Sequence, residues 1–222
     1  MPYRRTENVA RRLAERREAI VEAARALAAE GGMAAVQIAP VAVRAGIAAG
    51  TVYRYFPSKT ELVRAVMTAV SERELAAMRA AADRAPGPLS AFAAALTAFA
   101  ARALQRRRLA WAAIAEPVDA DIDALRLAYR QALAAEIEQR LAACVRAGHL
   151  PGQDVRVSAA ALVGALIEGL LGPLALDTGT NTGAARAAVQ ALTLFALRAV
   201  GIGDARARGL VVQSAIPEPD EA

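Results

Sequence analysis

The chain has 222 residues, enough to bury a sizeable core in one large domain or two small ones; 56% are apolar but only 4% aromatic, and roughly a quarter are alanine. Alanine is the best helix former and few β-branched runs compete with it, so the composition is that of an all-α protein. A single cysteine, Cys144, excludes a disulfide framework within the chain and fits a reducing cytoplasm.

The net charge of +5 is unevenly placed. Residues 1–60 carry ten Arg or Lys against five Glu, whereas residues 61–222 balance at seventeen of each sign. Such an asymmetry is the footprint of a polyanion-binding module joined to a neutral body, although charge alone leaves an ordinary solvated basic surface open.

Residues 1–8 show no periodicity and read as a flexible arm in which Arg4 and Arg5 are candidate phosphate or minor-groove contacts, or simply part of a frayed terminus. No charged start followed by an apolar run marks a signal peptide. From Val9 to about Glu30 the stripe Leu13, Ile20, Val21, Ala24, Leu27, Ala28 has helical spacing, and Gly31-Gly32 end it. The opposite face carries Arg11, Arg12, Arg16 and Arg17 interleaved with Glu15, Glu18 and Glu22. The interleaved acids argue against a helix lying on a membrane surface.

Ile38 to Ala45 is a short helix with Pro40 tolerated in its first turn. Gly46 reverses the chain, and residues 49–56 form a second short helix that Pro57 breaks. Two short helices around a tight glycine turn, the second bearing Thr51, Tyr53 and Arg54, suit insertion into a DNA major groove. Ser58 with Glu61 is a capping box that starts a long helix, residues 58–84.

Ala85-Pro86-Gly87-Pro88 is the clearest punctuation in the chain. Beyond it, Leu89, Phe92, Leu96, Phe99 and Ala103 step by three and four. A short helix holds Leu109, Trp111 and Ile114 before Glu116-Pro117. Asp119 or Asp121 can cap a long helix to about Ala147, and residues 148–152 turn the chain. Two further helices, about 154–171 and 182–200, are apolar over more than one face. Their small residues Gly164, Ala165 and Gly169 permit close approach, which fits pairing with a second copy through Val155, Leu162, Val163, Leu166, Leu170, Leu192, Phe195 and Ala196. The stretch 159–176 also carries Glu168 and glycine and proline breaks, so it reads as an interface helix rather than a membrane span. Residues 203–222 read as a disordered tail.

With these motifs in place, the chain resembles the TetR family of transcriptional regulators. The likeness is carried by VAVRAGI, AAGTVYRYFPSKTELV and the amphipathic helices on either side, residues 10–66; beyond them only the pattern of helix lengths agrees. The resemblance implies about nine helices in an all-α fold. A helix-turn-helix DNA-binding domain would occupy residues 9–60, and a ligand-binding and dimerisation domain residues 61–202. It also implies a homodimer on double-stranded palindromic operator DNA, usually a repressor released by a small molecule. By position, Arg44, Ala49, Gly50, Thr51, Tyr53, Arg54, Tyr55 and Lys59 would contact the DNA, while Val52 and Phe56 pack the recognition helix down. Of the chain's 27 basic residues only Lys59 is a lysine, which points to a specific geometric need for an ammonium at that helix start. Gln37 and Ala48 depart from the family, standing where Ser or Thr often cap the two motif helices; each lost cap costs about 1 kcal/mol.

A regulatory pocket is expected among residues 78–133, lined by some of Met78, Phe92, Leu96, Phe99, Trp111, Ile114, Tyr129 and Leu133, each of which can equally be plain core. Tyr129 and Trp111 carry the polar handles, and the lining points to a hydrophobic or aromatic effector. No cofactor or metal is expected, because one His149 and one Cys144 cannot make a metal site. A Cys144–His149 nucleophile pair has poor geometry, and no Gly-rich phosphate loop is present, so an enzyme is not expected. The rival reading is a DNA-silent dimer that binds small molecules or proteins on the same scaffold.

Overall fold

The computed structural model describes residues 3–116, 120–179 and 181–216. Among these there are ten α-helices and no strand. They are α1 Tyr3–Gly31, α2 Ile38–Arg44, α3 Ala49–Tyr55, α4 Lys59–Asp83, α5 Pro88–Gln105, α6 Arg107–Ile114, α7 Ala120–Arg146, α8 Val155–Leu170, α9 Thr182–Ala199 and α10 Asp204–Gln213, with one turn of 3-10 helix at Met33–Ala35.

Helix ends follow the local chemistry. Ser58 accepts a hydrogen bond from the Glu61 amide at 3.1 Å and opens α4, as the capping box predicts. Asp154 and Asn181 cap α8 and α9 in the same way. Gln37 and Ala48 sit at the cap positions of α2 and α3 without a side-chain cap bond, as the sequence implies.

Two expectations are corrected. The arm predicted over residues 1–8 is helical from Tyr3, because nothing between Tyr3 and Val9 breaks a helix; residues 1–2 and the side chains of Arg4 and Arg5 lie outside the described residues. The tail predicted from residue 203 instead starts with α10, which packs on α9 and α5 and buries Ala207 and Leu210. Residues 217–222 and the expected Asp119 cap lie outside the described residues.

α1 to α3 pack around Ile20, Ala24, Val41, Val52 and Phe56. α4 joins this group to the body, packing against α1 on one side and against α5 and α7 on the other. The body is built on α5, where alanine lets neighbouring helices approach closely; Phe92 and Leu96 are fully enclosed in it. Ion pairs lock it. Buried Glu136 on α7 accepts from Arg79 of α4 at 2.8 Å and from Arg140 at 3.0 Å.

α8 presents a different face from the one expected. Leu162, Val163, Leu166 and Leu170, with Ala196 of α9, are buried in the protomer's own core, and Leu166 is only 1% exposed. Val155 and Leu192 are half-buried, and Phe195 alone of the eight is open, at 54%. In an alanine-rich helix the large residues fill the core and the small ones are left outside. The outer stripe is Val157, Ala160, Ala161 and Gly164 on α8 beside Ala187, Ala191 and Phe195 on α9. At Gly169 a Cβ would meet Leu192 Cδ1 at 2.7 Å, so glycine is what lets these two helices touch.

Candidate functional site

The turn between α2 and α3 is a glycine-terminated helix end. Ile47 N–H donates to the Ala42 carbonyl at 3.0 Å and Gly46 N–H to Val43 at 3.1 Å, with Gly46 in the left-handed region at φ 66°. α3 is fixed from beneath by fully buried Val52 and by Phe56, over whose ring the Arg17 guanidinium of α1 sits at 5.0 Å. Both apolar residues pack as the sequence implies.

That anchoring decides what α3 presents. Ala49, Gly50, Tyr53, Arg54 and Lys59 are exposed, Thr51 and Tyr55 half-buried, and Tyr53 is 52% exposed. Arg54 and Tyr55 share a groove with Val9, Arg12, Leu13, Glu15, Arg16 and Ala19 of α1. Arg12, Arg16, Arg54 and Lys59 make no ion pair with any described residue. The surface is thus a short helix, anchored from beneath, flanked by cations that make no ion pair, with Glu15 as the groove's one acid. Arg12 and Arg16 are additions to the expected site; their signal was the basic face of α1. Arg44 departs from expectation, since its guanidinium grips Glu30 at 2.6 and 2.9 Å and is turned back onto α1.

In the body, the expected pocket is only partly assembled. Phe99, Ile114 and Tyr129 line a cavity of about 20 Å³ with Val70, Leu109, Leu171, Glu74, Arg102 and Arg106. It is so narrow that it admits little more than a water without side-chain movement. Met78, Phe92, Leu96 and Leu133 are fully enclosed in the core, and Trp111 is half-buried on α6. Glu74 and Arg102 form a two-point ion pair at 2.8 and 3.1 Å. Periodicity could not reveal it, because a charged pair on two apolar helices looks like solvated surface. Burial pushes the Tyr129 hydroxyl well above its ordinary pKa, with the Glu74 charge adding to the effect and Arg102 opposing it.

The cavity and the α1–α3 group share one seam. α6, which lines the cavity through Leu109, Ala110 and Ile114, leads into Glu116, whose carboxylate accepts from the Met33 amide at 3.1 Å. Arg108 of α6 lies 3.8 Å from Glu116 and donates to the Gly31 carbonyl at 3.2 Å. Gly32, at φ 74°, passes beneath both side chains with no room for a Cβ. From α7, Arg126 and Arg130 donate to the Ala112 and Ile114 carbonyls at the end of α6.

Cys144 is buried and its thiol pushed up to about 11, so at neutral pH it is no nucleophile for His149 to activate.

A rigid exposed α3, its glycine turn and its flanking cations define a helix-turn-helix regulator domain. The profile of bacterial regulatory proteins of the tetR family matches residues 20–66, so this segment is similar to the DNA-binding domain of that family. Over 59 residues it is 51% identical to the HTH-type transcriptional repressor KstR of Rhodococcus jostii, covering 27% of this chain and 28% of that protein. Over 70 residues it is 46% identical to KstR of Mycobacterium tuberculosis, covering 32% and 30%. The match therefore spans less than a third of either relative. Two solved structures share the fold over nearly the whole chain. RolR in complex with resorcinol has a TM-score of 0.65 at 24% identity, covering 94% of this chain and 98% of that one. SmeT with triclosan has a TM-score of 0.69 at 21% identity, covering 94% and 100%.

Proposed function

We propose that the chain is a homodimeric repressor that holds palindromic operator DNA through α3 and releases it when a small hydrophobic or aromatic effector enters the body. The observation that carries this reading is the unpaired basic groove, where Arg12 and Arg16 of α1 lie beside Arg54 of α3. Thr51, Tyr53, Tyr55 and Lys59 complete the contact surface, and Ala49 and Gly50 let the backbone come close. Phosphates are met by the cations and base edges by the residues at the start of α3. Residues 9–60 form the DNA-binding domain and residues 61–202 the regulatory and pairing domain, working in the cytoplasm; among the described residues no helix is long and apolar enough to cross a membrane.

Support for the repressor role comes from the KstR proteins, named as repressors. Support for an effector comes from RolR and SmeT, solved with resorcinol and triclosan. Pairing uses the outer stripe of α8 and α9 rather than their buried leucines. Phe195→Arg yields monomers in light scattering with the fold retained; an unchanged dimer refutes this interface. Gel shift with DNA flanking the chain's own gene tests the whole reading. Sub-micromolar, salt-sensitive binding lost in Tyr53→Ala supports it, and no binding at low salt to any promoter fragment overturns it. One observation favours the DNA-silent alternative: Arg44 is occupied by Glu30. Under that alternative, ligand binding persists while wild type and Tyr53→Ala are equally inert towards DNA.

A further inference from the structure

The outer part of α1 buries nothing. From Asn8 to Ala19 every residue is exposed, and burial starts only at Ile20, so about three turns of helix stand clear of the packed core. An exposed helix of that length is marginal by itself. Two of its four arginines are used internally: Arg11 meets Glu15 at 3.5 Å, and Arg17 rests on the Phe56 ring. Arg12 and Arg16, one turn apart in the groove shared with Arg54 and Tyr55 of α3, make no ion pair with any described residue. Val9 and Leu13, 54% and 49% exposed, line the same groove.

We propose that this projecting stretch lies along the sugar-phosphate backbone of duplex DNA beyond the groove that α3 enters, so that each protomer grips flanking base pairs without reading their sequence. This rests on the reading of α3 as the DNA-contacting helix and lengthens its footprint. Charge complementarity selects the partner: two unpaired guanidinium groups suit phosphates, and the surface runs on without a break into Arg54 and Tyr55. A second copy of the chain fits poorly, because pairing this face with itself would set Arg12 and Arg16 against their own kind. A bilayer surface fits poorly too, since Glu15 and Glu18 interrupt the arginines. At 1.5 Å per residue, Asn8 to Ala19 spans roughly 16 Å, the rise of about five base pairs. Laid along that length, Val9 and Leu13 come against the sugars while Arg12 and Arg16 meet the phosphates.

The test uses the full chain and DNA flanking its own gene, with the protected palindrome mapped by hydroxyl radicals. Gel shifts then compare a duplex trimmed to the palindrome with duplexes carrying about five further base pairs on each side, the added pairs prepared in two unrelated sequences. The longer duplexes bind about tenfold tighter than the trimmed one, and equally for both flank sequences. Combining Arg12→Ala with Arg16→Ala removes that advantage and leaves the melting temperature at that of wild type, because neither side chain is paired. Arg54→Ala weakens binding to every duplex and keeps the advantage. Equal wild-type affinity for long and trimmed duplexes overturns the inference. So does an advantage that depends on flank sequence, or one that survives loss of Arg12 and Arg16. Co-sedimentation with phosphatidylglycerol vesicles, seen in place of the advantage and lost in the same double variant, assigns the surface to a membrane instead. The two readings separate cleanly: a chain that binds no duplex refutes the proposed function and this inference together, and a chain that binds long and trimmed duplexes alike refutes this inference alone.

Discussion

Arginine does opposite things in the two parts of this molecule. In the body it is spent internally: Arg102 on Glu74, Arg79 and Arg140 on Glu136, Arg126 on Asp123 and the end of α6. Beside α3 it is left open: Arg12, Arg16 and Arg54 line one groove without an ion pair, and the groove's one carboxylate, Glu15, pairs with Arg11. Counting charges along the chain locates the excess. Only the packing separates cations that hold the protein together from cations available to a partner.

The same substitution therefore has different effects in the two regions. Arg102→Ala strands a mostly buried Glu74 and costs about 2–4 kcal/mol, read as a lower midpoint in denaturant melts. At the seam between the regions, Gly32→Ala forces a side chain into a left-handed backbone and onto Arg108 and Glu116; it costs about 2 kcal/mol and loosens α6 from Met33, seen as faster amide exchange there. Ser58→Ala, which removes the α4 cap at the edge of the DNA-facing domain, costs about 1 kcal/mol. Arg54→Ala stays within about 0.5 kcal/mol of wild type in the same melts, while operator affinity falls.

The smallest effect lies at the α1–α4 contact. Glu22 is held at about 2, chiefly by the Arg25 guanidinium against the opposing cost of burial, with Arg73 adding to the lowering. A depressed carboxylate contributes stability above its unfolded value of about 4.5, and that contribution is lost as pH falls through 4.5 towards 2. Glu22→Gln should flatten the acid limb of the melting curve slightly, because the side chain is 43% exposed and its pairs are screened.

The sequence made the DNA-facing domain legible almost residue by residue, because its devices are local: the Gly46 turn, the Ser58 cap, and Val52 and Phe56 one turn apart. Arg44 escaped because its partner, Glu30, comes from a different helix. The body was legible in helix positions and not in faces. When alanine fills most positions, periodicity cannot say which stripe of α8 meets the core, so Leu162, Leu166 and Leu170 looked like a dimer surface. The Glu74–Arg102 pair depends on two helices meeting, and α10 carries only two buried side chains, Ala207 and Leu210, to mark it.

The salt dependence of operator affinity, measured for wild type and for the combined Arg12→Ala, Arg16→Ala, Arg54→Ala variant, addresses the division of labour most directly. If these cations are the ones reserved for DNA, the logarithmic salt slope falls by about 0.9 for each phosphate contact removed, while the thermal midpoint stays near that of wild type. Parallel salt plots with an unchanged slope would place the DNA contacts elsewhere and contradict the account.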